Sequence, residues 1–210
     1  MEAAYKTVAR EAHAEFVEKK SRFIGHVKPV TTEEEAQAFV AALKKQYWDA
    51  THNVYAYVLR SGARRFSDDG EPQGTAGMPT LDVLQKAGLT DCVVVVTRYF
   101  GGILLGAGGL VRAYSHGALL AAAAGEIVEM RPCTVVEAVC DYAQYGWVEP
   151  LLASQGTVEQ ADFAEAVTLR AALPADRVDG VQAELTERSA GRLTLRQVDE
   201  RFAPFAVEKT

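Results

Sequence analysis

The stretch Cys92-Val93-Val94-Val95-Val96-Thr97-Arg98-Tyr99-Phe100-Gly101-Gly102-Ile103-Leu104-Leu105-Gly106-Ala107-Gly108-Gly109-Leu110-Val111-Arg112-Ala113-Tyr114 decides how the chain is read. Its first six residues are a continuous apolar run, the pattern of a strand buried on both faces. Five glycines follow, and then an alanine-rich segment, Leu110 to Ala124, apolar nearly all round and so expected as a deeply buried helix. Between Arg98 and Glu126 the only formal charge is Arg112. Arg112, His116 and the glycines interrupt the run too often for a membrane span, which needs about 20 apolar residues in succession. A strand, a glycine loop and a helix in that order suit anion binding, because amides at a helix N-terminus point outward and carry partial positive charge. The anion-binding candidates are Arg98, Tyr99, Gly101, Gly102, Gly106, Gly108, Gly109 and Arg112, with the two arginines expected to add bidentate donors. Neither common phosphate motif matches: Ala107-Gly108 stands where a Walker loop needs Lys-Ser/Thr, and Val111 replaces the third glycine of a dinucleotide fingerprint. The same glycines would also serve a tight turn and close helix–sheet packing.

Upstream, Phe16 to Val27 reads as strand, basic turn, strand. Thr31 or Thr32 can cap a helix whose first turn holds Glu33, Glu34 and Glu35. Ala36, Phe39, Val40, Leu43 and Tyr47 recur at helical spacing. Val54–Leu59 is a strand, residues 60–76 a long polar loop, and Pro79 opens a helix that ends at Gly88. That loop contains Arg65, Asp68, Asp69 and Glu71, and His52 and Asn53 precede the neighbouring strand. These six are the second set of candidates, for acid–base work or internal pairing with Arg64, Arg65 or Arg98. The EF-hand spacing is absent, there is no HExxH, and no GxSxG marks a serine nucleophile, so no metal, no cofactor and no catalytic residue is assigned. Aromatic residues such as Tyr55, Tyr57, Phe66, Tyr99 and Phe100 suit either core packing or stacking on bases.

The chain of 210 residues has a net charge of −6, and the deficit lies in its last third. Residues 1–131 carry fifteen basic and fifteen acidic side chains; residues 132–210 carry seven and thirteen. The expected boundary is Met130–Pro132. Beyond it the order is βαββαβ: strands at Thr134–Cys140, Gly156–Phe163, Ala166–Leu173 and Arg192–Arg201, helices at Gln144–Ser154 and Ala175–Ser189. Pro150 is expected near a first turn or at a kink. This is the split ferredoxin-like unit. The three cysteines, Cys92, Cys133 and Cys140, form no CxxC pair, and buried free thiols in a reducing cytosol are expected. The N-terminus is not of signal-peptide type.

The blocks Thr51-His52-Asn53, Ser67-Asp68-Asp69-Gly70-Glu71-Pro72, Gly74-Thr75-Ala76-Gly77, Thr97-Arg98-Tyr99-Phe100-Gly101-Gly102 and Leu105-Gly106-Ala107-Gly108-Gly109-Leu110-Val111-Arg112-Ala113-Tyr114 resemble the IMPACT/YigZ family. Lys20-Ser21-Arg22-Phe23-Ile24 is similar too. The resemblance implies an α+β protein of two domains. Residues 1–131 would form an IMPACT-type α/β sandwich like the second domain of a ribosomal small-subunit protein. Residues 132–210 would form a ferredoxin-like domain resembling one of the translocase elongation factors. Eukaryotic relatives regulate translation with an extra N-terminal domain for which this chain has no room before residue 18, so that activity is not transferred. The family brings no established catalytic residues.

The expected function is therefore a cytoplasmic, non-enzymatic binding protein linked to translation, taking RNA, the ribosome or an anionic ligand on the N-terminal domain. A protein partner is expected on the acidic C-terminal domain, and no membrane. The alternative is an enzyme acting on a small phosphorylated or anionic substrate in a cleft of the N-terminal domain.

Overall fold

The computed structural model describes residues 3–207. The chain divides into two compact units, one built on Tyr5–Glu129 and the other on Met130–Phe205. The first comprises β1 (Tyr5–Val8), β2 (Ala12–Glu18), β3 (Ser21–Pro29), α1 (Glu33–Gln46), β4 (His52–Val58), β5 (Arg64–Ser67), α2 (Gly77–Lys86), β6 (Cys92–Tyr99) and α3 (Ala107–Ala124). Strands β2-β3-β6-β4-β5 form one antiparallel sheet with β6 at its centre.

Alternation along β6 explains its unbroken apolar sequence. Val94 and Val96 pack into a core with Leu84, Leu110, Tyr114 and Ala118 from α2 and α3. Val93 and Val95 pack on the other face with Phe39, Val40 and Leu43 of α1. Each buried valine contributes roughly 1.5–3 kcal/mol. The result is three layers: α1, the sheet, then α2 with α3. α1 starts where its sequence directs. Thr32 accepts from the Glu35 amide and the Glu35 carboxylate reaches back, a capping box. Hydrogen bonds from the Thr31 amide and hydroxyl hold the Glu35 carboxyl below the usual carboxylate range.

The β2–β3 turn is the least expected local feature. Lys19 and Lys20 occupy it with φ of 45° and 64°, between the paired residues Glu18 and Ser21. Both central positions of such a turn favour Asn-Gly. A left-handed backbone costs a non-glycine residue about 1–2 kcal/mol. Gly101 lies against this turn so closely that a Cβ there would collide with the Lys20 backbone.

Two expectations for the first unit are corrected. Residues 60–76 are not all loop, because β5 pairs with β4 from Tyr55↔Ser67 to Val58↔Arg64. Helix α2 opens at Gly77 rather than at Pro79, since the Asp68 carboxylate accepts from the Ala76 and Gly77 amides and fixes the start there.

The second unit holds β7 (Ile127–Cys140), α4 (Tyr142–Gln155), β8 (Thr157–Phe163), β9 (Val167–Pro174), α5 (Val178–Arg188) and β10 (Leu195–Ala206). The order β8-β9-β7, with β10 also on β7, is the ferredoxin-like arrangement. β7 begins at Ile127 rather than Thr134, and β10 at Leu195 rather than Arg192. Asp141 and Gln144 form a capping box that starts α4. Pro150 then lies well inside α4 rather than in its first turn, leaving the Gly146 carbonyl without its i+4 amide partner. Cys92, Cys133 and Cys140 are buried free thiols. Burial pushes the Cys92 thiol up to about 12, so it is no nucleophile at neutral pH. Among the described residues no helix is long and apolar enough to cross a membrane, and no three His, Cys, Asp or Glu side chains gather as a metal site.

Candidate functional site

Strand register brings the candidates together. Arg98 of β6 lies opposite Phe23 of β3 and opposite His52 of β4. Alternation from Val94 and Val96 sends Arg98 to the α2–α3 face, and from Val54 and Ala56 it sends His52 there as well. The Gly70–Pro72 segment and the start of α3 close over this row. They leave a cleft of about 410 Å³ lined by residues that include His52, Glu71, Arg98, Phe100, Leu104, Leu105, Gly106 and Ala107.

Arg98 is a buried structural cation. Its guanidinium donates to Glu71 Oε1 at 2.6 Å and to Ser21 Oγ at 3.3 Å, and it sits between the Phe23 and Phe100 rings, 5.5 Å from each centroid. Its buried Nε has no partner. Glu71 Oε1 also accepts from the Tyr114 hydroxyl of α3 at 2.7 Å. Burial, then this bond to Glu71, pushes the Tyr114 phenol far above its ordinary value, so it stays a donor. One carboxylate thus ties the 68–71 loop, the central strand and α3 together.

The three carboxylates of this loop do three different jobs, and none is a free solvated turn residue. Asp68 accepts from the amides of Gly74, Ala76 and Gly77. Asp69, with φ of 47°, accepts from the Asn53 amide at 2.6 Å and from Lys44 at 2.5 Å. Glu71 holds Arg98 and Tyr114. They do not converge on one point as a metal site requires.

His52 presents an uncommitted ring nitrogen at the cleft. Nδ1 lies 2.8 Å from the Asp69 carbonyl oxygen. A carbonyl only accepts, so Nδ1 carries the proton and neutral His52 presents its Nε2 lone pair. Nε2 is 3.7 Å from Glu71 Oε2, beyond hydrogen-bond reach.

The start of α3 supplies the other unsatisfied groups. Gly106, with φ of 75°, is the N-cap and has no side chain to offer. No acidic residue stands in the first turn. Gly106, Ala107 and Gly108 are exposed, so the first amides of an 18-residue helix open beside the cleft without a protein cap. The rim is apolar: Leu104 is 81% exposed and Phe100 46%.

Several sequence candidates lie elsewhere. Tyr99 alternates to the opposite face and donates to Asp49 at 2.8 Å. Burial, then Asp49, raises its phenol. Asn53 is buried on that face too, its side chain accepting from Thr97. Arg65 is exposed on β5, in register with Tyr57. Arg112 does not join Arg98; it lines a separate cavity with His116. Among the glycines, Gly101 serves contact with the Lys20 backbone, Gly109 would press on Leu105, and Gly102 and Gly108 have room around them. Phe100, Leu104 and Leu105 also line the cleft; the signal for them in the sequence is three apolar residues bracketing a glycine pair in a loop, the pattern of an exposed rim. Tyr114 belongs to the α3 motif, and nothing in helical spacing names Glu71 as its partner.

Residues 19–122 match the family model described as the Impact N-terminal domain, and residues 139–192 match one described as a domain of unknown function. The chain is 38% identical over 207 residues to the IMPACT family member YvyE of Bacillus subtilis, covering 97% of this chain and 95% of that protein. It is 40% identical over 187 residues to the IMPACT family member YigZ of Escherichia coli, covering 87% and 92%. A solved crystal structure described as a hypothetical protein is similar at TM-score 0.60 and 36% identity, over 95% of this chain and 99% of that one.

Proposed function

The chain belongs to the IMPACT family, and from that premise we propose that its N-terminal domain is a non-enzymatic binding module for single-stranded RNA, acting in the cytoplasm in connection with translation. The observation that carries the reading is the uncapped start of α3. Its free amides open beside the cleft. A phosphate oxygen is the acceptor those donors lack. The exposed Phe100 ring and the Leu104 rim suit the face of a base, and stacking of this kind tolerates any sequence. Arg98 supports the site by fixing Phe100 and Glu71 rather than by touching the ligand. In the acidic C-terminal unit Arg170, Arg196 and Arg201 are all paired with Glu137 or Glu159, so that unit is assigned a protein partner rather than RNA.

Fluorescence anisotropy with a labelled U12 RNA, at 50 and 200 mM salt, tests this. Binding should weaken with salt. The Ala107→Glu variant places a carboxylate in the first turn of α3. It should stabilise the helix by about 0.3–1 kcal/mol through the dipole while lowering RNA affinity at least tenfold. No binding at 50 mM, or unchanged affinity in the variant, removes the reading. A second reading, an enzyme acting on a small anionic substrate, draws on the fixed tautomer of His52, which leaves Nε2 as a ready base. The same preparation would then turn over a phosphate ester, and His52→Gln would abolish that turnover.

A further inference from the structure

A second cavity of about 510 Å³ lies on the other side of the first turn of α3. Its walls are Phe16, Val17, Glu18 and Lys19 from the end of β2 and its turn, and Leu105, Gly109, Arg112, Ala113 and His116 from the α3 side. Arg112 and His116 are four residues apart on the helix and so share one face. Lys19, Arg112 and His116 thus line one cavity with a single carboxylate, Glu18, which bonds to none of them among the described residues. Arg112 leans toward the helix start: its Nη1 is 3.6 Å from where a Cβ on Gly108 would stand. A cation over the positive end of a helix has the wrong sign for stability and the right sign for holding an anion there.

The turn that presents Lys19 is built at a local conformational disadvantage. Lys19 and Lys20 both hold left-handed backbone where Asn-Gly would rest easily. The Gly101 contact with the Lys20 backbone keeps the turn beside the glycine loop. Strain of this kind persists where the surrounding structure over-determines it and commonly accompanies a site. The two lysines have no ionic partner among the described residues, so packing alone does not account for their identity.

We propose that this cavity is a second phosphate subsite, with Lys19, Arg112 and His116 as its ligands, and that it takes the next backbone phosphate of the strand whose neighbour sits at the α3 start. The phosphate chemistry stands on the cavity itself; the polymer rests on the RNA reading above. Leu105 lines both cavities, so the two sites adjoin.

The test uses the full chain and two probes, labelled U12 RNA and inorganic pyrophosphate, with the His116 ring protons followed by NMR. The variants are Lys19→Asn/Lys20→Gly, which relieves the turn, and Arg112→Gln. The double variant should unfold at a higher temperature yet bind U12 about tenfold more weakly. Arg112→Gln should cost a similar factor and lower the salt slope by about 0.7, one single-strand phosphate contact. Pyrophosphate should shift the His116 signals in the wild type and not in Arg112→Gln. If the wild type binds U12 and both variants bind it equally well, the subsite is overturned and the RNA reading stands. If the wild type ignores U12 but pyrophosphate shifts His116, the subsite stands and the RNA reading falls. If neither probe has an effect, both fall.

Discussion

Both units of the chain set arginine against glutamate on a sheet, and they do it in opposite surroundings. In the N-terminal unit Arg98 and Glu71 have side chains only 6% and 3% exposed, joined by a 2.6 Å hydrogen bond. In the C-terminal unit Arg170, Arg196 and Arg201 meet Glu137 and Glu159 across the strands, with the three arginines 40–75% exposed. A buried pair gives up hydration and regains it only if every partner stays in place. An exposed lattice keeps most of its water, and each link in it is worth little. The first arrangement holds three elements in register around the cleft. The second tiles a surface, with Arg170, Arg196 and Arg201 each engaged by a carboxylate.

The largest effect should come from breaking the buried pair. Glu71→Gln keeps the shape but leaves the Arg98 charge uncompensated, and urea unfolding should show a loss of about 3–5 kcal/mol. Glu71→Gln/Arg98→Met removes both charges and should recover more than half of that loss. Equal losses in the single and double variants would mean that the pair is no more coupled than the surface lattice.

A smaller effect should come from a buried base on the opposite face of the same sheet. His26 lies against Tyr47 and His13, with ring centroids 5.1 and 5.7 Å away. Burial, and then the neighbouring His13, push its pKa down from 6.5 to about 4, while Glu11 pulls the other way. The folded state therefore binds fewer protons than the unfolded one between these values. Stability is complete above pH 6.5 and falls as the pH drops toward 4, by on the order of 2 kcal/mol. His26→Gln should flatten that part of a urea-midpoint profile. A slope of the same size in the variant would assign the acid sensitivity to other groups.

The contrast also explains what was legible beforehand. β6 was readable because a strand covered on both sides has no polar positions to blur it. The βαββαβ order was readable because its helices and strands keep their own periods. β5 was not, because Arg-Arg-Phe-Ser has no apolar alternation and exists by pairing with β4. β7 extends beyond what its sequence suggests, since Pro132 looks like a breaker yet lies within the strand. For the site, both glycine loop and acidic loop were visible as motifs, but not which carboxylate meets which donor. The expected partnership of Arg98 and Arg112 failed on geometry that periodicity carries: strand alternation points Arg98 at Glu71, while the four-residue step pairs Arg112 with His116.

The smallest effect should come from the lattice. Arg201 and Glu159 form an ion pair whose side chains are 46% and 27% exposed, and Arg170 also reaches Glu159 at 4.0 Å. A double-mutant cycle with Glu159→Gln and Arg201→Gln should return a coupling of no more than about 1 kcal/mol. It should shrink further in 1 M salt, where the screening length is about 3 Å. The coupling within Glu71 and Arg98 should survive the same salt, because ions do not enter a site that excludes water. A lattice coupling above 2 kcal/mol that resists salt would mean the C-terminal sheet face is covered in solution. That face would then have to be treated as an interface, with its arginines positioned for a partner rather than for one another.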